Sequence, residues 1–219
     1  MIRVHPEGRL WVGGTITGGV VVGLLLLLWG PPFWVSLLSS GVWLIWTGFV
    51  FSFFRYPKRI CPSEPGVVYA PCDGEVVEIK RTFEPRYFHE EMLQVSVFMS
   101  PFNVHVNWAP APGVLRRLDY MRGTYLVAWH PKASLLNEQT FMAVEGGNSA
   151  CYYGLRQIAG IMARRISTYP KEGMSLRAGQ EIGFIKFGSR VEVLLPLTAQ
   201  IRVRLGDKVR GALTPIAQW

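Results

Sequence analysis

Between Arg9 and Arg55 the chain has no Asp, Glu, Lys, Arg or His. Two apolar runs fill the gap, Leu10 to Gly30 (LWVGGTITGGVVVGLLLLLWG) and Phe33 to Phe54 (FWVSLLSSGVWLIWTGFVFSFF). Each is close to the roughly 20 residues that an α-helix needs to cross a bilayer. Pro31 and Pro32 stand between them. A proline pair cannot continue a helix and suits a tight turn, so the pattern predicts a transmembrane helical hairpin with both ends on one side. Arg3 and Arg9 flank the first run; Arg55, Lys58 and Arg59 flank the second. By the positive-inside rule these flanks face the cytoplasm, which puts everything after Arg55 on the cytoplasmic side of the cell (inner) membrane. A signal peptide would need a small-residue cleavage site and would leave the second run unexplained. Two shallow re-entrant helices remain an open alternative, because Gly13, Gly14, Gly18, Gly19 and Gly23 weaken the first span. Residues 1–59 thus form the expected anchor and residues 60–219 one further domain.

That second part carries nearly all of the ionisable groups. A formal net charge of +8 fits an anionic membrane surface, an acidic protein or nucleic acid. The apolar N-terminus favours the membrane, and the scattered basic residues, without interleaved aromatics, argue against nucleic acid. Cys61, Cys72 and Cys151 are odd in number and form no C-x-x-C pair, as in reduced thiols of a reducing compartment. From Val67 onward short β-rich runs such as GEVVEIKRTF, LQVSVFMS and RVEVLLP are broken by Gly and Pro. They predict a mainly β sandwich or barrel, with one short helix over Lys132 to Gln139. APCDGEVVEI and APAPGVLRRL share an A-P-x-x-G turn followed by a strand. Paired turns of this kind resemble the lipoyl and biotinyl barrel-sandwich domains.

The segment richest in chemistry is KFGSRVEVLLP, Lys186 to Pro196. A glycine before Ser189 gives the backbone freedom and leaves the Gly188 carbonyl open to approach by a hydroxyl; a Gly-Ser pair is also an ordinary turn. In SPFNVHVNWAP, strand alternation puts Asn103, His105 and Asn107 on one face, where a histidine either handles protons or simply packs. Asp73, before Gly74, either makes a turn or offers a carboxylate to a neighbouring base. Gln157, Arg164 and Arg165 in RQIAGIMARRI suit a carboxylate or phosphate ligand, or a solvated strand edge. His5, His89 and His130 read as surface residues. No H-x-x-x-H, H-E-x-x-H or carboxylate cluster points to a metal.

APCDGEVVEI, FMSPFNVHVNWAPAPG, RQIAGIMARRI and KFGSRVEVLLP occur in this order, with HPEG at His5 to Gly8 and FFRYPKR at Phe53 to Arg59. Together they resemble the phosphatidylserine decarboxylase proenzyme family in its short, archaetidylserine-decarboxylase-like form, over nearly the whole chain. The resemblance implies self-cleavage of the Gly188–Ser189 bond into a β chain of residues 1–188 and an α chain of residues 189–219, an α/β heterodimer. It implies that Ser189 becomes a covalently bound pyruvoyl group, which forms a Schiff base with the amine of phosphatidylserine in an anionic membrane. Decarboxylation would then yield phosphatidylethanolamine. It implies a catalytic role for His105, and for Asp73 a role in assisting the base of self-cleavage. Longer members carry a second histidine, assigned to self-cleavage, where this chain has Trp108; indole accepts no proton, so either His105 serves both steps, the preferred expectation, or Asp73 acts more directly.

Two rivals use the same residues. A non-enzymatic, membrane-tethered lipoyl-like binding domain would keep Ser189 intact and the chain uncut. A serine hydrolase built on Ser189, His105 and Asp73 would also keep its serine. Acyl-chain preference and homo-oligomer formation are open at this level.

Overall fold

The computed structural model describes residues 3–123, 137–147, 151–160, 166–186 and 189–219. The chain divides into two compact units, Met1–Pro57 and Lys58–Trp219.

In the first unit, strand β1 (Arg3–Val4) and a 3-10 turn (Pro6–Gly8) lead into helix α1 (Arg9–Trp29), followed by α2 (Phe33–Phe53) and β2 (Arg55–Tyr56). Each helix has 21 residues, about 31 Å at 1.5 Å per residue, close to the apolar thickness of a bilayer. Gly30 ends α1 in the left-handed region at φ 58°, its N–H returning to the Leu26 carbonyl at 3.1 Å. Only glycine takes that conformation without strain. Pro32 then caps α2 in an extended conformation. β1 and β2 pair antiparallel, Arg3 opposite Tyr56, so both ends of the hairpin meet at one end, as the proline turn predicts. Gly18 and Gly19 explain themselves here: the Trp43 ring lies where their Cβ atoms would be, and its Nε1 donates to the Thr15 carbonyl at 3.2 Å. Leu27, Leu28, Trp29 and Phe33 are each at least 80% exposed. Surface this apolar suits an apolar solvent, and both helices have the length and composition to cross a membrane.

The second unit is mainly β. In chain order its strands are β3 (Val67–Tyr69), β4 (Gly74–Glu84), β5 (Glu90–Met99), β6 (Val106–Trp108), β7 (Gly113–Met121), β8 (Gln139–Glu145), β9 (Tyr152–Ala159) and β10 (Ile166–Thr168). They continue as β11 (Ser175–Leu176), β12 (Glu181–Ile185), β13 (Ser189–Pro196), β14 (Gln200–Ile201), β15 (Lys208–Val209) and β16 (Pro215–Gln218). Eight strands form one antiparallel sheet, in the order β11-β7-β8-β9-β13-β5-β4-β15, curled into a half-barrel. Two three-stranded sheets, β10-β12-β6 and β14-β16-β3, complete the unit. One core joins them: Val95, Val97, Leu155, Val191 and Val193 from the large sheet pack with Ile166, Ile182, Ile185, Val68 and Ile216 from the small ones. Each such side chain contributes about 1.5–3 kcal/mol on full burial. This is the barrel-like β unit that the Gly-punctuated strands predict.

Strand β13 lies in the middle of the large sheet, between β9 and β5, and is buried at all eight positions. Its alternate residues serve two faces: Val191, Val193 and Leu195 face the main core, while Leu194 joins Met92, Phe141 and Ala143 in a second apolar cluster under Tyr87 and Phe88. The buried Glu84 carboxylate accepts the N–H groups of Arg86, Tyr87 and Phe88 at 2.8–2.9 Å, which fixes that covering turn. The helix expected over Lys132 to Gln139 lies mostly outside the described residues. Its described end is not helical, because Gln139 opens β8 and pairs with Ile158.

Candidate active site

The geometry starts from Ser189, the first residue of β13. It pairs with Met99 of β5 on one side and Ala159 of β9 on the other. Two residues on, Val191 faces the main core, and strand alternation puts the Ser189 side chain on that same inner face. Its Oγ is buried and has no hydrogen-bond partner among the described residues. Gly188 lies outside the described residues.

A polar cluster shares this interior. Gln157, opposite Val191, is fully buried: its Nε2 donates to Asn107 Oδ1 at 2.7 Å, and its Oε1 accepts from Thr140 Oγ1 at 2.7 Å and Thr168 Oγ1 at 3.2 Å. The Gln157 amide therefore ties β9 to β6, β8 and β10. Asn107 Nδ2 reaches the sulfur of Met99, the cross-strand partner of Ser189, at 3.7 Å. His105 is fully buried just before β6, its ring tilted against Phe184 at 6.3 Å and its carbonyl accepting from the Ile185 N–H at 3.2 Å. Ile185 ends β12, the strand that precedes Ser189 in the chain. Asn103 does not share a strand face with His105 and Asn107. Residues Ser100 to Asn103 form a turn instead, with the Asn103 N–H donating to the Ser100 carbonyl and its Oδ1 accepting from the Ser100 N–H and Oγ–H. Pro101 and this side-chain bond turn the chain before the strand starts.

Asp73 is 8% exposed, and its carboxylate is bound. It forms a two-pronged ion pair with Arg59 and accepts the Gly211 N–H at 2.8 Å. Arg59 also donates to the Gly211 carbonyl at 2.8 Å and sits over the Trp108 ring, 4.7 Å from its centroid. Trp108 is thus a stacking surface for this guanidinium. Next to Asp73, Cys72 is fully buried; desolvation and the neighbouring carboxylate push its thiol well above the usual range, so it stays neutral and no nucleophile.

The opposite face of β13 carries an ion-pair chain. Arg190 contacts Glu78, donates to Ser96 Oγ at 2.8 Å and reaches Glu192 at 3.0 Å; Arg156 pairs with Glu192 at 2.8 Å. Reading single residues along the sequence missed Arg59 and this chain. Only the Arg190-x-Glu192 spacing hinted at it, since residues two apart share a strand face. Arg164, Arg165 and His130 lie outside the described residues. His89 is exposed, but His5 is 1% exposed rather than a surface residue. Its Nδ1 accepts the Glu7 N–H at 3.2 Å, and its ring meets Tyr56 edge-on.

The family model for phosphatidylserine decarboxylase matches residues 46–217. The chain belongs to the phosphatidylserine decarboxylase family. Among its relatives, the phosphatidylserine decarboxylase proenzyme of Amoebophilus asiaticus is 42% identical over 100% of this chain and 97% of its own. That of Bacteroides fragilis is 40% identical over 99% and 95%, and that of Nitrosomonas europaea 41% over 98% and 96%. Membership makes this chain an enzyme of the decarboxylase class, with a mainly β domain behind an apolar helical hairpin.

Proposed function

We propose that this chain is a self-processing phosphatidylserine decarboxylase, anchored in the cell (inner) membrane with its β unit on the cytoplasmic side. The Gly188–Ser189 bond breaks, and residues 1–188 and 189–219 stay together as β and α chains. The observation that carries this reading is the Ser189 hydroxyl, buried at the start of the central strand without a partner among the described residues. An unsatisfied buried polar group costs about 1–3 kcal/mol. A serine kept for structure would be met by an acceptor, whereas a hydroxyl consumed in maturation needs none. The site therefore fits a pyruvoyl group made from this residue.

In that maturation Ser189 Oγ gives up its proton and bonds to the Gly188 carbonyl carbon, and the C–N bond breaks to leave an ester and a free amine on residue 189. Loss of the residue 189 Cα proton expels the Gly188 carboxylate and gives dehydroalanine. Addition of water and loss of ammonia leave the pyruvoyl group. That group supplies a carbonyl conjugated with an amide, an electron sink for the pair released as carbon dioxide leaves. His105 takes the Ser189 proton during cleavage and returns a proton to the substrate carbon during turnover. Asp73, bound by Arg59, acts as a positioning residue at the Trp108 wall, and Gln157 holds Asn107 beside Met99. Arg164 and Arg165 are candidate ligands for the headgroup of phosphatidylserine.

Intact-mass measurement of purified protein tests this directly. Wild type should separate into chains ending at Gly188 and starting at residue 189, the latter resistant to Edman sequencing. Ser189→Ala should remain one chain and release no carbon dioxide from phosphatidylserine. A single wild-type chain that still decarboxylates the lipid sinks the pyruvoyl mechanism; one that is also inactive favours the tethered binding domain.

A further inference from the structure

In the polar cluster beside Ser189, one buried donor is left nearly unmatched. Met99 of β5 pairs with Ser189, and Gln157 of β9 pairs with Val191. Neighbouring strands lie about 4.8 Å apart, so β5 and β9 stand about 10 Å apart with β13 between them. Both side chains are buried on the inner face, and the Asn107 amide joins their ends. Its Oδ1 accepts from Gln157 Nε2 at 2.7 Å, and its Nδ2 reaches the Met99 sulfur at 3.7 Å. The amide therefore crosses β13 at the level of residues 189 to 191, on the face that the Ser189 side chain occupies.

Its orientation is set from both sides. Gln157 Oε1 takes the hydroxyls of Thr140 and Thr168, which turns Nε2 toward Asn107. At the other end a thioether sulfur has no hydrogen to give, so Asn107 presents Nδ2 to it. An amide nitrogen carries two N–H donors. One meets a weak sulfur acceptor, and the other has no partner among the described residues, although Asn107 is fully buried. An asparagine kept for structure alone would be matched to an oxygen. Nor does Nδ2 bind Ser189 Oγ, which is unpartnered among the described residues. A donor that serves catalysis fits the oxygen of the adduct and leaves the resting hydroxyl alone.

We propose that Asn107 is a catalytic residue of self-cleavage, its Nδ2 donating to the oxyanion of the tetrahedral adduct formed at Ser189. In that step Ser189 Oγ gives its proton to His105 and bonds to the Gly188 carbonyl carbon, and the C=O π pair becomes a lone pair on the oxygen. That oxygen stays on the carbon now bonded to Oγ, so a donor lying over the Ser189 side chain is placed to meet it. Collapse restores the C=O, breaks the C–N bond and leaves a proton on the departing amine.

The inference rests on the self-processing reading, which wild type tests by itself. Full-length chains made by cell-free translation in detergent are followed from precursor to products by gel and intact mass. Asn107→Asp keeps the acceptor for Gln157 Nε2 and nearly the same shape but removes the donor. It should slow cleavage about 10²-fold or more, the scale of losing one oxyanion donor. Asn107→Ala, which adds no buried charge, should do the same, with the near-ultraviolet circular dichroism of the precursor kept. Hydroxylamine splits an ester far faster than an amide and so identifies the step. Added to wild type during cleavage, it should release chains that begin with an unmodified serine at 189. In both variants this trapping should fall together with cleavage, because the ester is not reached. Variants that cleave at the wild-type rate would overturn the proposal. So would wild-type trapping in variants that form no pyruvoyl chain, which would place Asn107 after the ester. A wild type that never cleaves removes the self-processing reading and the proposal with it.

Discussion

At the scale of single residues, the site separates groups with a structural task from groups without one. Gln157, Asn107 and Asp73 each make at least one hydrogen bond of 2.7–2.8 Å, while the Ser189 hydroxyl is buried and unmatched among the described residues. His105 is the buried imidazole nearest in the chain to the β6 edge, its backbone tied to β12. His105→Ala should lower decarboxylation about 10²-fold or more, the usual scale for a general acid or base. With Trp108 at the other position, it should slow the appearance of the two chains on a gel as well. Normal processing with lost turnover would show that another base makes the pyruvoyl group. Cys72 offers a separate check on burial. Desolvation, with the Asp73 charge next to it, raises its thiol well above the ordinary value. Native protein at pH 8 should therefore leave Cys72 unlabelled by iodoacetamide, and denaturant should expose it; peptide mass mapping reads the difference.

At the scale of elements, the proposed self-cleavage would require β13 to survive a cut at its own first residue. A new chain end frays unless something ties it down, and two ties are present: ladders to β5 and β9 from Ser189 onward, and the Arg190 side chain held by Glu78, Ser96 and Glu192 on the far face. Arg190 and Glu192 are 4% and 0% exposed at the side chain. Removing one partner of such a pair costs about 3–5 kcal/mol, since the other charge stays buried. Arg190→Gln should accordingly lower the midpoint of urea unfolding, while an exposed pair such as Arg116–Glu145 should matter by less than about 1 kcal/mol. Burial alone would raise the Glu78 carboxyl, but the hydrogen bond from Lys80 and the Arg190 charge outweigh it and hold the group below its usual value. Because the folded value is the lower one, this tie is complete above the unfolded carboxylate value and is lost as pH falls through the folded one. Stability should thus fall on the acid side of the ordinary glutamate range, and Glu78→Gln should flatten that part of the profile.

For the whole molecule, the two units answer to different solvents. The helical hairpin exposes Leu24, Leu25, Leu27 and Leu28 on α1 and Leu37, Leu38, Leu44 and Ile45 on α2, a surface that suits lipid better than water. The protein should stay with membranes through a high-salt wash and leave them only in detergent, and a reporter fused after Trp219 should behave as cytoplasmic, given the basic flanks at Arg3, Arg9, Arg55, Lys58 and Arg59. Recovery of the full-length chain in the salt-washed supernatant would remove the anchor. The β unit draws its core from its own residues, Val68 through Ala217.

Patterns that depend on neighbours along the chain were legible beforehand. Apolar runs of 21 and 22 residues, the Pro31–Pro32 break and Gly-punctuated β runs specify the hairpin and the mainly β unit, because helix length, strand alternation and turn chemistry are local properties. KFGSRVEVLLP marked Ser189 for the same reason, as a glycine-serine step ahead of a strand. Which groups meet across the sheets was not legible. Arg59 read as a membrane flank until folding brought it 4.7 Å from the Trp108 ring and against Asp73, and the turn at Ser100–Asn103 separated Asn103 from the strand that alternation assigned to it. The Gln157 cluster and the Arg190 chain join residues tens to more than a hundred positions apart. Such pairings depend on the curl and register of the eight-stranded sheet, which arise from packing one shared core and have no signature in any single stretch of sequence.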